Sequence, residues 1–271
     1  MLVSTTTPLV LALLLAFPSS IEAQIQYEMQ TEKGGTPLDS APHPLSWWTE
    51  NPLQHDASGD LMLAYPGQDG QLITAGDYHL DKNVTTIGVL SGHKILQIIL
   101  TIHPGPRVIG PADVISDAHP IEWKDLLVQV GSDRYVQIYG LHYDQGGLLA
   151  ELTPAALYGA GTNAILGTYD PDTGNGGSCF DGYWWFDRAG AHPVDFSSLI
   201  RSIAKAIPKN ATFTWHCWAL HPKSSAIESG VQERDAACHA CGGLGTVRAR
   251  YRVDHGKAVP LSVRFTAEKQ Q

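Results

Sequence analysis

Gly245-Thr246-Val247-Arg248-Ala249-Arg250-Tyr251-Arg252-Val253-Asp254, then His255-Gly256 and Lys257 to Thr266, is the stretch from which the fold is read. Val247, Ala249, Tyr251 and Val253 recur at every second position, with Arg248, Arg250 and Arg252 between them. Successive side chains of a strand point to opposite faces, so this spacing predicts one apolar face turned inward and one cationic face turned outward. Asp254-His255-Gly256-Lys257 supplies residues that tolerate a tight turn, and the two alternating runs therefore read as a C-terminal β-hairpin.

Working back along the chain, short β-prone runs occur at Leu61–Tyr65, Gln71–Thr74, Val84–Leu90, Lys94–Ile102, Leu126–Val130 and Tyr135–Tyr143. Ser91-Gly92 and Gly131-Ser132-Asp133 fall between them as hairpin turns, which predicts antiparallel sheet. A further strand is expected through Thr212–Ala219. One segment carries a different period: Phe196, Leu199, Ile200, Ile203, Ala204 and Ile207 lie on one helical stripe. Asp195 is expected as its N-cap, Pro193 lies just outside the start, and Pro208 with Asn210 ends it. The stripe is expected to dock on a sheet. The expected class is α+β: an antiparallel β-rich body, at least one amphipathic helix at about 195–207, and the terminal hairpin.

Four regions follow: a signal peptide at 1–23, an extended lead-in at 24–60 that packs locally with Trp47-Trp48 as its anchor, a β-rich region at 61–152, and an α+β cysteine-containing region at 153–271. The last two form either one domain or two packed subdomains joined near 145–155. The signal peptide rests on the apolar run Leu9–Phe17, which fits the ~7–15 residues of a secretory core and falls short of the ~20 needed to span a bilayer. Ala23 offers a small residue for cleavage before Gln24, although no Lys or Arg precedes the run. The expected destination is secreted or periplasmic, with no transmembrane segment after cleavage.

Charge narrows the partners. The 271 residues carry 18 Lys+Arg against 27 Asp+Glu, a formal net charge of −9. An acidic chain does not track a phosphate backbone, so nucleic acid is not expected as a partner.

Export sets the reading of Cys179, Cys217, Cys238 and Cys241, since an oxidising compartment favours disulfides. Of three connectivities, Cys179–Cys217 with Cys238–Cys241 is preferred, and Cys217 paired to either late cysteine competes with it. Cys238-His239-Ala240-Cys241 has redox spacing but lacks a strand leading into a helix. Gly242 stands where c-type haem attachment needs a histidine. A zinc site from Cys217, Cys238 and Cys241 with His216, His221 or His239 has soft ligands enough but only one paired knuckle. No metal and no cofactor are therefore expected.

The sequence contains no Gly-x-Ser-x-Gly elbow, no His-Glu-x-x-His and no phosphate-binding glycine loop. Ser178 lacks an identifiable base. The oxygen-rich stretch Asp170 to Gly177 departs from the EF-hand register, with Gly174 and Asn175 at the fifth and sixth places, and reads as a surface turn. Asn83-Val84-Thr85 and Asn210-Ala211-Thr212 match the glycan-acceptor pattern. The seven tryptophans include Trp184-Trp185 and Trp215 and Trp218 beside Cys217. These four are the candidate ligand contacts, since exposed indoles stack on sugars and apolar groups. In a strand, Trp184 and Trp185 face opposite ways, one to the core. The leading expectation is an exported, non-enzymatic module binding a small molecule, glycan or protein. The alternative is a secreted hydrolase, metal-assisted through His216 and His221. A third is a disulfide-held structural component of the cell surface.

Overall fold

The computed structural model describes residues 39, 41–50, 53–63, 71–74, 77–104, 120–142, 152–171, 179–213, 226–234 and 243–268. The chain is mostly antiparallel β-sheet. The elements run α1 (Leu45–Glu50), β1 (Leu53–His55), β2 (Leu61–Leu63), β3 (Gln71–Thr74), β4 (Tyr78–Leu90), β5 (His93–Pro104), β6 (Ile121–Gly131) and β7 (Arg134–His142). They continue with β8 (Ala156–Tyr158), a 3₁₀ turn (Gly161–Asn163), β9 (Ile165–Pro171), β10 (Cys179–Asp187), β11 (Gly190–Pro193) and α2 (Ser197–Ala206). The last four strands are β12 (Ala211–Phe213), β13 (Ala226–Glu233), β14 (Gly243–Asp254) and β15 (Lys257–Ala267). Among the described residues the strands form four sheets, ordered β1-β2-β3, β4-β5-β6-β7, β11-β10-β9-β8 and β12-β13-β14-β15.

Sequential strands pair because the turns between them suit hairpins. Ser91 and Gly92 adopt φ of 49° and 89°, and His255 and Gly256 adopt 46° and 75°. Two consecutive positive φ values match the right-handed twist of the flanking strands. Leu90 accordingly pairs with His93, and Asp254 with Lys257.

The β4–β7 sheet is buried on both faces at its centre. Leu96, Ile98, Leu100, Trp123 and Leu127 form one core with Trp48 and Leu61. Ile95, Leu126, Val128 and Tyr139 form another with Leu166, Trp184 and Phe186 of the β8–β11 sheet. Two-sided burial explains why β5 and β6 read as nearly continuous apolar runs. The opposite face of β9 and β10, through Ile165 and Tyr183, joins a third core with α2 and the inner face of β12–β15. Leu199 and Ile203 of α2 are fully buried there, each contributing ~1.5–3 kcal/mol.

The described part of the lead-in differs from expectation around His43–Trp48, where its packing is long-range. His43 forms a bridge with Tyr135, and the indole N–H of Trp48 donates to the Tyr135 carbonyl at 3.1 Å. The cause is the α1 helix, which places Trp48 on the β4–β7 sheet while Trp47 stacks on His43 at 3.7 Å. The start of α2 also differs: Phe196 holds the N-cap position without a side-chain cap bond. Asp195 instead accepts the Ser197 N–H at 2.9 Å from one residue further out, because its own backbone is engaged with the β14–β15 turn. The strand expected through Thr212–Ala219 is described as β12 up to Phe213, and its remainder lies outside the described residues. So do residues 1–38, including the expected signal peptide. Among the described residues, no helix is long and apolar enough to cross a membrane.

Candidate functional site

The expected ligand contacts separate sharply. Trp215 and Trp218 lie outside the described residues, as do Cys217, Cys238, Cys241, His216, His221 and His239. The backbone of Cys179 opens β10, but its side chain is outside the description, and so are residues 172–178. Trp184 and Trp185 are both described and, as alternation requires, face opposite ways. Trp184 is buried, edge-on to Tyr139 at 5.9 Å, and its ring covers Gly182, where a Cβ would collide with Cη2. It is a core residue.

Trp185 is half-buried and sits at the meeting point of three elements. It pairs across β10–β11 with His192, whose ring centroid lies 5.7 Å away. Its indole N–H donates to the Thr162 carbonyl in the 3₁₀ turn at 2.9 Å, which fixes the plane of the ring. The β14–β15 turn brings His255 to 6.3 Å, edge-on to the indole. That turn is held in place by main-chain bonds: Asp195 N–H donates to the Gly256 carbonyl at 2.7 Å, and Ala258 N–H to the Asp195 carbonyl at 2.8 Å.

Each histidine is oriented by a carboxylate. His192 Nε2 lies 2.9 Å from Asp187 Oδ1, which also accepts the Ala189 and Gly190 N–H groups that close the β10–β11 turn. His255 Nδ1 lies 2.7 Å from Asp254 Oδ1. The bond from His192 holds the Asp187 carboxyl below its ordinary range, with the two turn N–H groups adding to the effect. The bond from His255 does the same for Asp254, reinforced by the Arg252 charge. The cluster thus offers one aromatic plane, two imidazoles and two ionised carboxylates: a stacking surface with hydrogen-bond donors and acceptors at its rim.

A second polar group lies on β4 and β5. Asp81 receives His79 Nε2 at 3.0 Å on one oxygen and His103 Nε2 at 3.1 Å on the other. All three are exposed, and the two imidazole rings stand 5.9 Å apart. Among the described residues, no three His, Cys, Asp or Glu side chains converge to hold a metal ion. Asn83 and Asn210 are both exposed, and Thr85 donates its hydroxyl to Asn83 Oδ1 at 3.1 Å.

Sequence reasoning named Trp185 but missed its neighbours. Alternation in β10 and β11 could have suggested Asp187 and His192, two and seven residues on; nothing local signals that His255 arrives beside them. Comparison with protein families, with curated proteins and with solved structures returned no match.

Proposed function

We propose that this chain is an exported, non-enzymatic binding module whose ligand is a sugar stacked on Trp185. The observation that carries the reading is the half-buried indole, held by its bond to Thr162, with His192 at 5.7 Å and His255 at 6.3 Å, each imidazole held by its own carboxylate. A pyranose ring presents C–H groups to such a plane and hydroxyls around its rim, which pairs with this arrangement of apolar centre and polar edge. Within this reading the class is α+β, since α2 packs in the core beneath the site. Cys179, Cys217, Cys238 and Cys241 serve as two disulfides, and the protein works outside the cytosol or in a periplasm.

Calorimetric titration with neutral oligosaccharides tests the site. Trp185→Ala should weaken binding at least tenfold, whereas Trp47→Ala, remote from the cluster, should leave it within twofold. Equal affinity in wild type and Trp185→Ala removes the assignment. Mass and thiol analysis of the exported protein should give an N-terminus at Gln24 and no free thiol.

One observation favours a hydrolytic reading. In both pairs a carboxylate engages one imidazole nitrogen, Nε2 of His192 and Nδ1 of His255, leaving the other nitrogen for a proton. Turnover of chromogenic glycosides or esters that disappears in His192→Ala or His255→Ala supports it over simple binding.

A further inference from the structure

The outer face of the C-terminal sheet carries a row of arginines that the Trp185 cluster does not use. Arg248, Arg250 and Arg252 alternate along β14 and are exposed, while Val247, Ala249 and Tyr251 fill the core behind them. Arg264 of β15 stands directly opposite Arg248, also exposed. Like charges directly across a strand pair repel, so the sheet carries this juxtaposition at a cost to its own stability. Counter-charge within the chain is partial. Arg248 meets Glu228 at 3.4 Å and Arg252 meets Asp254 at 3.3 Å. Among the described residues, neither Arg250 nor Arg264 meets a carboxylate.

This row ends where the Trp185 cluster begins. Asp254 holds Arg252 through Oδ2 and His255 through Oδ1, and His255 meets Trp185 edge-on at 6.3 Å. From Arg248 to Asp254 the strand spans roughly 20 Å at ~3.3 Å per residue. The arginine strip thus lies on the outer face and meets the Trp185 cluster at the hairpin turn, through Asp254 and His255, while Trp185 itself packs against the inner-face core.

We propose that this strip binds an acidic polysaccharide, a uronate-bearing chain whose one ring stacks on Trp185 while its following carboxylates pair with Arg250, Arg264 and their neighbours. This deepens, and rests on, the sugar-binding reading of Trp185. Guanidinium is the group that matches a carboxylate in bidentate fashion, and four of them on one face in a chain of net charge −9 mark a local reversal of sign. Local reversal favours a narrow ligand. A bilayer or a nucleic acid duplex extends well past the strip and meets more of the acidic remainder than a single sugar chain lying on it does.

Titrating the full chain with a galacturonate oligomer and with its neutral methyl ester tests the inference. The acid should bind at least tenfold more tightly than the ester, and raising salt should erase that preference. Arg250→Ser with Arg264→Ser should abolish the preference while leaving affinity for the ester intact, and Trp185→Ala should weaken both ligands. Circular dichroism and thermal melting establish that the double variant is folded; Arg264→Gln alone is the substitute if it is not. Equal binding of acid and ester, lost in Trp185→Ala, overturns the arginine strip and leaves the Trp185 reading standing. Binding of neither ligand overturns both. Undiminished acid preference in the arginine variant overturns the strip, as does retention of heparin or of phosphatidylserine vesicles by a protein that ignores the uronate.

Discussion

Gly256 lies against the indole of Trp185: a Cβ on that glycine would stand 3.1 Å from Cε3 and 3.3 Å from Cδ2 of the ring, on a backbone with φ of +75°. The turn and the site are thus one object, since the residue that lets β14 reverse into β15 is also the floor on which Trp185 rests. Gly256→Ala meets both constraints and should cost ~1–3 kcal/mol in urea denaturation. Gly256→Asn separates them, because asparagine tolerates the left-handed backbone while bringing the same Cβ. It should recover part of the stability yet still shift Trp185 emission and weaken ligand binding. Full recovery of both by asparagine would show that crowding at the indole is immaterial.

Asp187 tests the orientation of His192. Its folded-state pKa lies below the ordinary 3.8, first because of the His192 bond and then because of the Ala189 and Gly190 N–H groups. A carboxyl depressed in the fold adds stability that is present above the unfolded value and lost as pH falls through the folded one. Carboxyl-carbon NMR should therefore show Asp187 titrating below 3.8, and the same for Asp254 beside His255. His192→Ala should raise Asp187 only part of the way, since the two backbone donors remain, and should leave Asp254 where it was. An Asp187 value indifferent to the substitution means that the turn, not the imidazole, sets it.

The elements that were legible share a property: their signal is local. Val247, Ala249 and Tyr251 alternate with three arginines within one strand, and Leu199, Ile200 and Ile203 recur within one helix, so each could be read from a short window. The site was legible only at Trp185. Ile165, His192 and Gly256 reach it from other elements, and His255 stands 70 positions beyond it in the chain. The lead-in was misread for the same reason. Proline and polar residues before Trp47 suggest an extended segment that packs locally around Trp47-Trp48, but the partner of Trp48 is Tyr135, 87 positions away. Of the α+β expectation, the antiparallel sheet is the part the fold shows broadly, and its helical part rests on one strong stripe, α2.

Trp48 gives that long-range contact a measurable size. It is fully buried among Leu61, Leu96 and Ile98, and Trp→Ala at such a position costs ~3–5 kcal/mol. The hydrogen bond is a smaller share, because the Tyr135 carbonyl also accepts the His43 N–H at 3.0 Å and is not orphaned by losing the indole. Trp48→Phe should therefore cost only ~1–2 kcal/mol. Urea midpoints of the two variants distinguish an integral lead-in from a loosely attached one: a loss below ~1 kcal/mol for Trp48→Ala would place the segment outside the cooperative unit.

Tyr251 connects the same logic to the alkaline limit. Its ring is buried between Phe196 and the inner face of β14, and desolvation alone pushes its hydroxyl well above the ordinary 10.0. The sign is opposite to that of Asp187. Here the unfolded chain releases a proton that the folded chain keeps, so stability is undisturbed below the unfolded value and falls as pH rises past it. One such proton contributes a slope of up to ~1.4 kcal/mol per pH unit. Tyr251→Phe keeps the ring contacts and removes the proton. Its stability should track wild type at pH 7 and exceed it progressively above about pH 10, the gap widening with pH. Parallel alkaline limbs for the two proteins would mean that the Tyr251 hydroxyl reaches solvent and ionises within the fold.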